Sequence, residues 1–312
     1  MGFALLRGSI ITANTGEGGF SFLDRKTLKE RLNLSGQAFS GPHGLAVCGN
    51  RQLLYAADSY EGSVCAIDCL RGRISAAASV GATPCHLVLS GSGGNLYVTN
   101  YDSDSVSVLH GSTLQPLFQI PVGRMPHDIC FSGERGLVFV AESGQNSIGV
   151  IDAAQNRKIG SIPLSGSVLH MKKDRQERFL YGAGCRTDRF GEGRIVVVDM
   201  KSCKEIKSFR LGCYLTDLCL GEEENTIYVC DGGFGCVYGI DAEKGEIRLR
   251  LETGMFPCSV AWEGEEEGAL TVGDHMSGRL TRYDLKTGRV ICQSREFRDL
   301  HHFLLCRPLG KT

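Results

Sequence analysis

The sequence predicts an all-β fold, a seven-bladed β-propeller with four antiparallel strands per blade. Three observations predict it. A short apolar run ending in an acid recurs along the chain. Each copy contains four strand-like runs parted by Gly, Ser and Asn turns. No segment keeps a helical period over three or more turns. The run reads Phe20-Ser21-Phe22-Leu23-Asp24 in the first copy and Val64-Cys65-Ala66-Ile67-Asp68 in the second. The later copies close at His110, Asp152, Asp199, Asp241 and Asp284. The spacings are 44, 42, 42, 47, 42 and 43 residues, and four short strands per such period is the unit of a propeller blade.

The fourth copy shows the strands in order. His127–Phe131, Leu137–Ala141, Ser147–Asp152 and Lys158–Pro163 are rich in β-branched and aromatic residues. The first copy lacks an inner strand, and residues 300–306 can supply it by pairing with the segment 8–34. That closure removes the exposed sheet edges. Length alone would suggest two domains at about 150 residues each. The repeat overrides that count, and residues 1–312 read as one propeller domain.

Composition narrows the function classes. Hydrophobic residues make up 42% and charged residues 22%, an ordinary core-forming balance. The net charge of −1 gives no basic field for a phosphate backbone, so nucleic acid is not an expected partner. No apolar run reaches the roughly 18 residues of a membrane span, and no membrane partner is expected. The opening residues do not read as a signal peptide. The 14 cysteines lie mostly in apolar strand patterns and read as free thiols, which places the chain in the cytoplasm.

Asn95-Leu96-Tyr97-Val98-Thr99-Asn100, followed by Asp104–Val108 and Pro121-Val122-Gly123, resembles the YVTN repeat. The chain thus resembles the YVTN-repeat (YncE-like) seven-bladed propellers over nearly its whole length. The third and fourth copies carry the likeness best. Such a repeat specifies fold far better than function.

Propeller geometry then points to a site. The start of each inner strand and the loop after each second strand should face one end of the axial channel, the top. Aligning the copies on Pro42, Pro84, Pro126, Leu169, Leu215, Pro257 and Leu300 puts His43, Cys85, His127, His170, Thr216, Cys258 and His301 at the mouth. The next slot adds His86, Asp128, Asp217 and His302. Six of the chain's 8 histidines fall in these two slots. Imidazole and thiolate suit a transition metal such as Zn or Cu. The candidate metal ring is therefore His43, Cys85, His86, His127, His170, Cys258, His301 and His302, of which a subset would bind. The residues do not name the cofactor. The plainer alternative is that these histidines cap turns or bond a neighbouring blade.

The second strands end in Asn14, Asp58, Asn100, Glu142, Asp231 and Asp274, with His275 beside the last. Pointing inward, Asp58, Asn100, Asp231 and Asp274 would bind ligand. Otherwise they bond their own turns. Arg186 and Arg189, in a longer fifth-copy loop, could clamp an anion. Three functions follow in order. The first is a binding propeller with a His/Cys/carboxylate site for a metal or small molecule. The second, which the resemblance allows, is a lyase or hydrolase of lactonase or streptogramin-lyase type, with His127 or His170 as base and Glu142 as orienting acid. The third is a scaffold for a protein partner.

Overall fold

The computed structural model describes residue 6 and residues 8–35, 39–91, 94–185, 191–221, 225–264 and 267–306. These residues form seven four-stranded antiparallel sheets. Blade 1 joins both ends of the chain. Its inner strand is Leu300–Cys306, and its other strands are Ser9–Asn14, Gly19–Asp24 and Glu30–Ser35. The closing ladder pairs Ile10 with Leu305, Ile11 with Leu304 and Thr12 with Phe303. Blades 2 to 7 follow in chain order. Their inner strands are Pro42–Cys48, Pro84–Leu89, Pro126–Ser132, His170–Lys173, Leu215–Leu220 and Pro257–Trp262. No helix among the described residues is long and apolar enough to cross a membrane.

The apolar core is divided into wedges between neighbouring blades. Phe20 and Phe22 of blade 1 pack with Leu45, Leu54, Ala56 and Ile67 of blade 2. The same pattern joins Phe139 and Val150 of blade 4 to Met171, Leu180 and Val196 of blade 5. Second and third strands, buried on both faces, read as near-continuous apolar runs such as Leu137–Glu142 and Ser147–Asp152. The outermost strands face water and alternate, as in Arg73–Ser79. Each large side chain fully buried in a wedge stabilises the ring by about 1.5–3 kcal/mol.

The closing acid of the repeat has a local cause. Asp68 accepts the backbone N–H groups of Leu70 and Arg71, and Asp152 those of Ala154 and Gln155. Asp24, Asp241 and Asp284 hold equivalent turns. In blade 3, the His110 ring takes this place beside Ser112 and Thr113. The turn ends on a left-handed residue, at Gly72 (φ 62°) in blade 2 and Leu114 (φ 56°) in blade 3. A left-handed leucine costs about 1–2 kcal/mol. Leu114 offsets this by lying fully buried between blades 2 and 3.

All fourteen cysteines lie among the described residues, and none is paired in a disulfide. Blade 7 holds Arg282 between two carboxylates, the buried Glu263 and the partly exposed Glu267. Glu263, whose side chain has no exposed surface, accepts Arg282 Nε on both oxygens at 3.1 and 3.0 Å. Removing the cation leaves that carboxylate uncompensated. Arg282→Met is expected to cost about 3–5 kcal/mol by urea denaturation. The further change Glu263→Gln should recover part of the loss. An Arg282→Met loss under about 1 kcal/mol would contradict a buried, unrelieved charge.

Candidate metal centre

Six of the seven inner strands enter the ring with a break in the ladder, that of blade 5 being regular. The pairing shifts between Pro42 and Leu45, Pro84 and Leu87, and Pro126 and Ile129. It also shifts between Leu215 and Asp217, and between Pro257 and Ser259. A regular strand sends adjacent side chains to opposite faces. A bulge re-aims them, so both residues of a pair such as Cys85-His86 or His301-His302 line the channel mouth. The first slot binds round the ring. His43 Nδ1 lies 3.3 Å from the Cys85 carbonyl, and His127 Nδ1 lies 3.2 Å from that of Leu169.

That second bond corrects the alignment in blade 5. The carbonyl of Leu169 receives His127 as that of Cys85 receives His43. Leu169 therefore fills the first slot, and His170 belongs one slot deeper, with His86. The ladder agrees: it sets His170 opposite Ala183, the equivalent of Thr99, and Thr99 Oγ1 bonds the backbone of His86. Blade 5 has no proline at its entry to mark the offset. Across blades 3 to 6 the deeper slot then reads His86, Asp128, His170 and Asp217, with His302 in blade 1. Blade 2 has Gly44 there, where a Cβ would sit 2.2 Å from the Cys85 carbonyl oxygen.

Seven of the eight histidines meet near the mouth. The tightest group is His86, His127 and His170, whose ring centroids are 4.9–5.0 Å apart. One donor nitrogen from each lies within 4.8 Å of the others. His127 turns Nδ1 to a carbonyl, which leaves Nε2 for the channel. His86 Nδ1 lies 3.8 Å from Asp128 Oδ1, and its Nε2 has no hydrogen-bond partner. His170 Nδ1 lies 3.7 Å from Asp217 Oδ1 and 3.8 Å from Asp128 Oδ2, and it too has no hydrogen-bond partner. These separations exceed a hydrogen bond. The carboxylates face the Nδ1 atoms of His86 and His170 without bonding them.

Both acids also tie blades together. Asp128 accepts the Met171 N–H of blade 5 at 2.7 Å, and Asp217 accepts the Val260 N–H of blade 7 at 2.9 Å. Below them Lys172 enters the channel. Burial works against its charge, yet Asp128 and Asp217 lift its pKa above the ordinary lysine range. Burial raises the Asp217 carboxyl, against the pull of Lys172. Burial, reinforced by neighbouring imidazoles, holds His43, His86 and His170 well below the usual histidine pKa. It lowers His127 and His301 too, with Asp128 and Asp299 opposing, and brings His302 to about 3. At neutral pH the cluster is therefore a set of uncharged imidazoles with available lone pairs.

Above the histidines opens a cavity of about 460 Å³, with Tyr60, Tyr101, Tyr214 and Phe256 on its walls. A second cavity of about 310 Å³ is lined by Lys172, Asp217, Trp262 and His302; His302 lines both. Cys85 and Cys258 border the upper cavity. Cys85 points its thiol at the Thr83 carbonyl and Cys258 at that of Leu300. Burial pushes Cys85 up to about 12 and raises Cys258 as well, so both are thiols.

The second-strand acids and amides lie elsewhere. Asp58 accepts the N–H groups of Ser40 and Gly41, and Asn100 that of Gly81. Asp231 accepts those of Cys213 and Tyr214, and Asp274 that of Phe256. Each clamps the segment leading into its own blade's inner strand, and none lines the upper cavity. Glu142 is fully buried beside Gly123 N, Lys158 Nζ and Ser147 Oγ, not beside His127 or His170. Burial would raise its pKa, but those three partners hold it below the ordinary carboxylate range. Arg186 and Arg189 lie outside the described residues. The sequence reading did not include Asp128, Asp217 or Lys172 in its site, although Asp128 and Asp217 stand in the slot it identified.

No family model matches the chain, and no curated protein matches it. Solved structures do. The chain is similar to hydrazine synthase of Kuenenia stuttgartiensis, with TM-score 0.73 and 21% identity over 80% of this chain and 78% of that one. It is similar to the dihydro-heme d1 dehydrogenase NirN, with TM-score 0.67 and 15% identity over 96% and 76%. A protein of unknown function from Desulfotomaculum acetoxidans aligns with TM-score 0.81 and 11% identity over 96% and 99%. At these identities the likeness is one of fold.

The buried imidazoles make the fold sensitive to acid. His302 binds its proton near pH 3 in the folded chain and near 6.5 in the unfolded one. The unfolded state therefore takes up protons first, and stability falls as pH drops from 6.5 toward 3. One such group contributes at most about 1.4 kcal/mol per pH unit within that window. Urea midpoints measured from pH 7 to 4 should fall, and His302→Gln should fall less steeply. Parallel curves would show that His302 is not kept neutral by the fold.

Proposed function

We propose that this propeller binds a transition metal at the top of its channel, on His86, His127 and His170, beneath a cavity sized for a small ligand. The observation that carries the reading is the convergence of three neutral imidazoles from three adjacent blades. Neutral imidazole is the ligating form, so no proton has to be displaced at neutral pH. Zinc–nitrogen bonds are about 2.0–2.1 Å long, and the three donors lie within 4.8 Å of one another, in reach of one ion. Asp128 and Asp217 support this. Each lies 3.7–3.8 Å from an imidazole Nδ1, where a carboxylate favours a cation.

Three imidazoles leave a coordination position for water or ligand, and a metal there supplies Lewis acidity toward a bound oxygen. The chain's own part is to orient the rings, shield them from bulk water and set ligand size through the tyrosine-lined cavity. Binding stands ahead of hydrolysis or elimination because the proposed orienting acid, Glu142, is engaged elsewhere. The heme d1 dehydrogenase propeller lends only its shape, at 15% identity.

Metal uptake tests the reading. Purified without a histidine tag, stripped with chelator and titrated with Zn²⁺ or Cu²⁺, the chain should take up at least one equivalent. His127→Ala should lose one. Asp217→Asn should weaken binding, because it removes a carboxylate 3.7 Å from His170 Nδ1. Uptake below about 0.1 equivalent at saturating metal, or uptake unchanged in His127→Ala, would overturn it.

A further inference from the structure

We infer a second divalent-metal site at the seam where the ring closes, formed by His275, Asp299 and His301, which clasps the closing strand to blade 7. His275 follows the second strand of blade 7, Ala269–Asp274. Asp299 directly precedes the closing strand Leu300–Cys306, and His301 is its second residue. The three side chains thus come from both sides of the last blade boundary and share no residue with the axial group.

The geometry is close to a ligand set. His301 Nε2 lies 3.2 Å and His275 Nε2 lies 3.6 Å from the same oxygen, Asp299 Oδ1. Donors held by one metal at about 2.1 Å lie about 3.0–3.4 Å apart at octahedral or tetrahedral angles. Both distances to Asp299 are thus already near those of a ligand set. His275 Nδ1 faces the Leu300 carbonyl at 3.1 Å. That bond places the ring proton on Nδ1 and leaves a lone pair on Nε2, as a ligand requires. The two imidazole centroids are 4.7 Å apart. All three side chains are about one-third exposed, so an ion can enter and keep water on its open positions. Two imidazoles and one carboxylate suit Zn²⁺, Fe²⁺, Mn²⁺ or Co²⁺.

The position gives the ion a mechanical role. The closing strand is otherwise held by its ladder to Ser9–Asn14, by apolar packing of Leu300 and Phe303, and by the contacts of His275 and Cys258 with the Leu300 carbonyl. An ion bound to Asp299 and His301 fixes the start of that strand, and His275 anchors it to blade 7. Metal binding and strand opening are then linked, because the opened strand has no complete ligand set.

Hydrogen exchange of the Leu300–Cys306 segment reads this directly. In the intact chain, Zn²⁺ at about 100 times its dissociation constant should slow exchange there by up to about 100-fold. Asp299→Asn and His275→Gln, either of which leaves the other ligands in place, should abolish the effect. His127→Ala should keep it, which separates this site from the axial one. Exchange unaffected by zinc in the intact chain, protection retained in both seam variants, or protection lost in His127→Ala would overturn the assignment. An Asp299–His301 ion pair alone gives the first of these outcomes.

Discussion

A ring of sheets exists only if its last strand finds its first. Here that contact is the ladder between Leu300–Cys306 and Ser9–Asn14, and the geometry of the channel depends on it. Because the apolar core lies in wedges between blades, each blade is positioned by two neighbours. The inner strands are thereby held between two neighbouring blades. Side chains at their entry stand at set distances from one another although they are far apart in sequence. His86 and His170, 84 residues apart in the chain, have ring centroids 4.9 Å apart.

The electrostatics of the channel follow from crowding. Several imidazoles packed out of water cannot all carry charge, since burial and mutual repulsion both oppose it. Neutrality leaves Asp128, Asp217 and Lys172 as the charges at the centre. The two acids anchor backbone N–H groups of the next blade and face the imidazoles at the same time. Fold and site therefore share these carboxylates, and a change at either acid acts on both.

What could be read from the sequence was whatever the backbone repeats. The acids at the strand ends recur because the turn after each third strand needs an acceptor, as Asp68 and Asp152 show. Blade number and strand count follow from that period. The histidine slots were legible where a proline marks the strand entry, as at Pro42-His43 and Pro126-His127. Blade 5 lacks that mark, and His170 was placed one slot too shallow. The second-strand acids are a harder case. Asp58 and Asp231 recur at one position as site residues would, but their carboxylates meet backbone N–H groups. Which way a repeated acid faces depends on the loop folded against it, and one-dimensional pattern does not carry that. The pairing of His275 with Asp299 was also hidden, because it arises only where the final strand docks against the preceding blade.

The bulged entries of the inner strands have an evolutionary consequence. Seven related entries surround one axis, each placing up to two side chains on a scaffold fixed by wedges elsewhere. Substitution in a socket whose side chain bonds no neighbouring blade alters the chemistry of the hole and leaves the wedges between blades in place. Gly44 and Ser259 already stand where siblings carry imidazole or carboxylate. Such a frame can be re-equipped for a different guest one socket at a time.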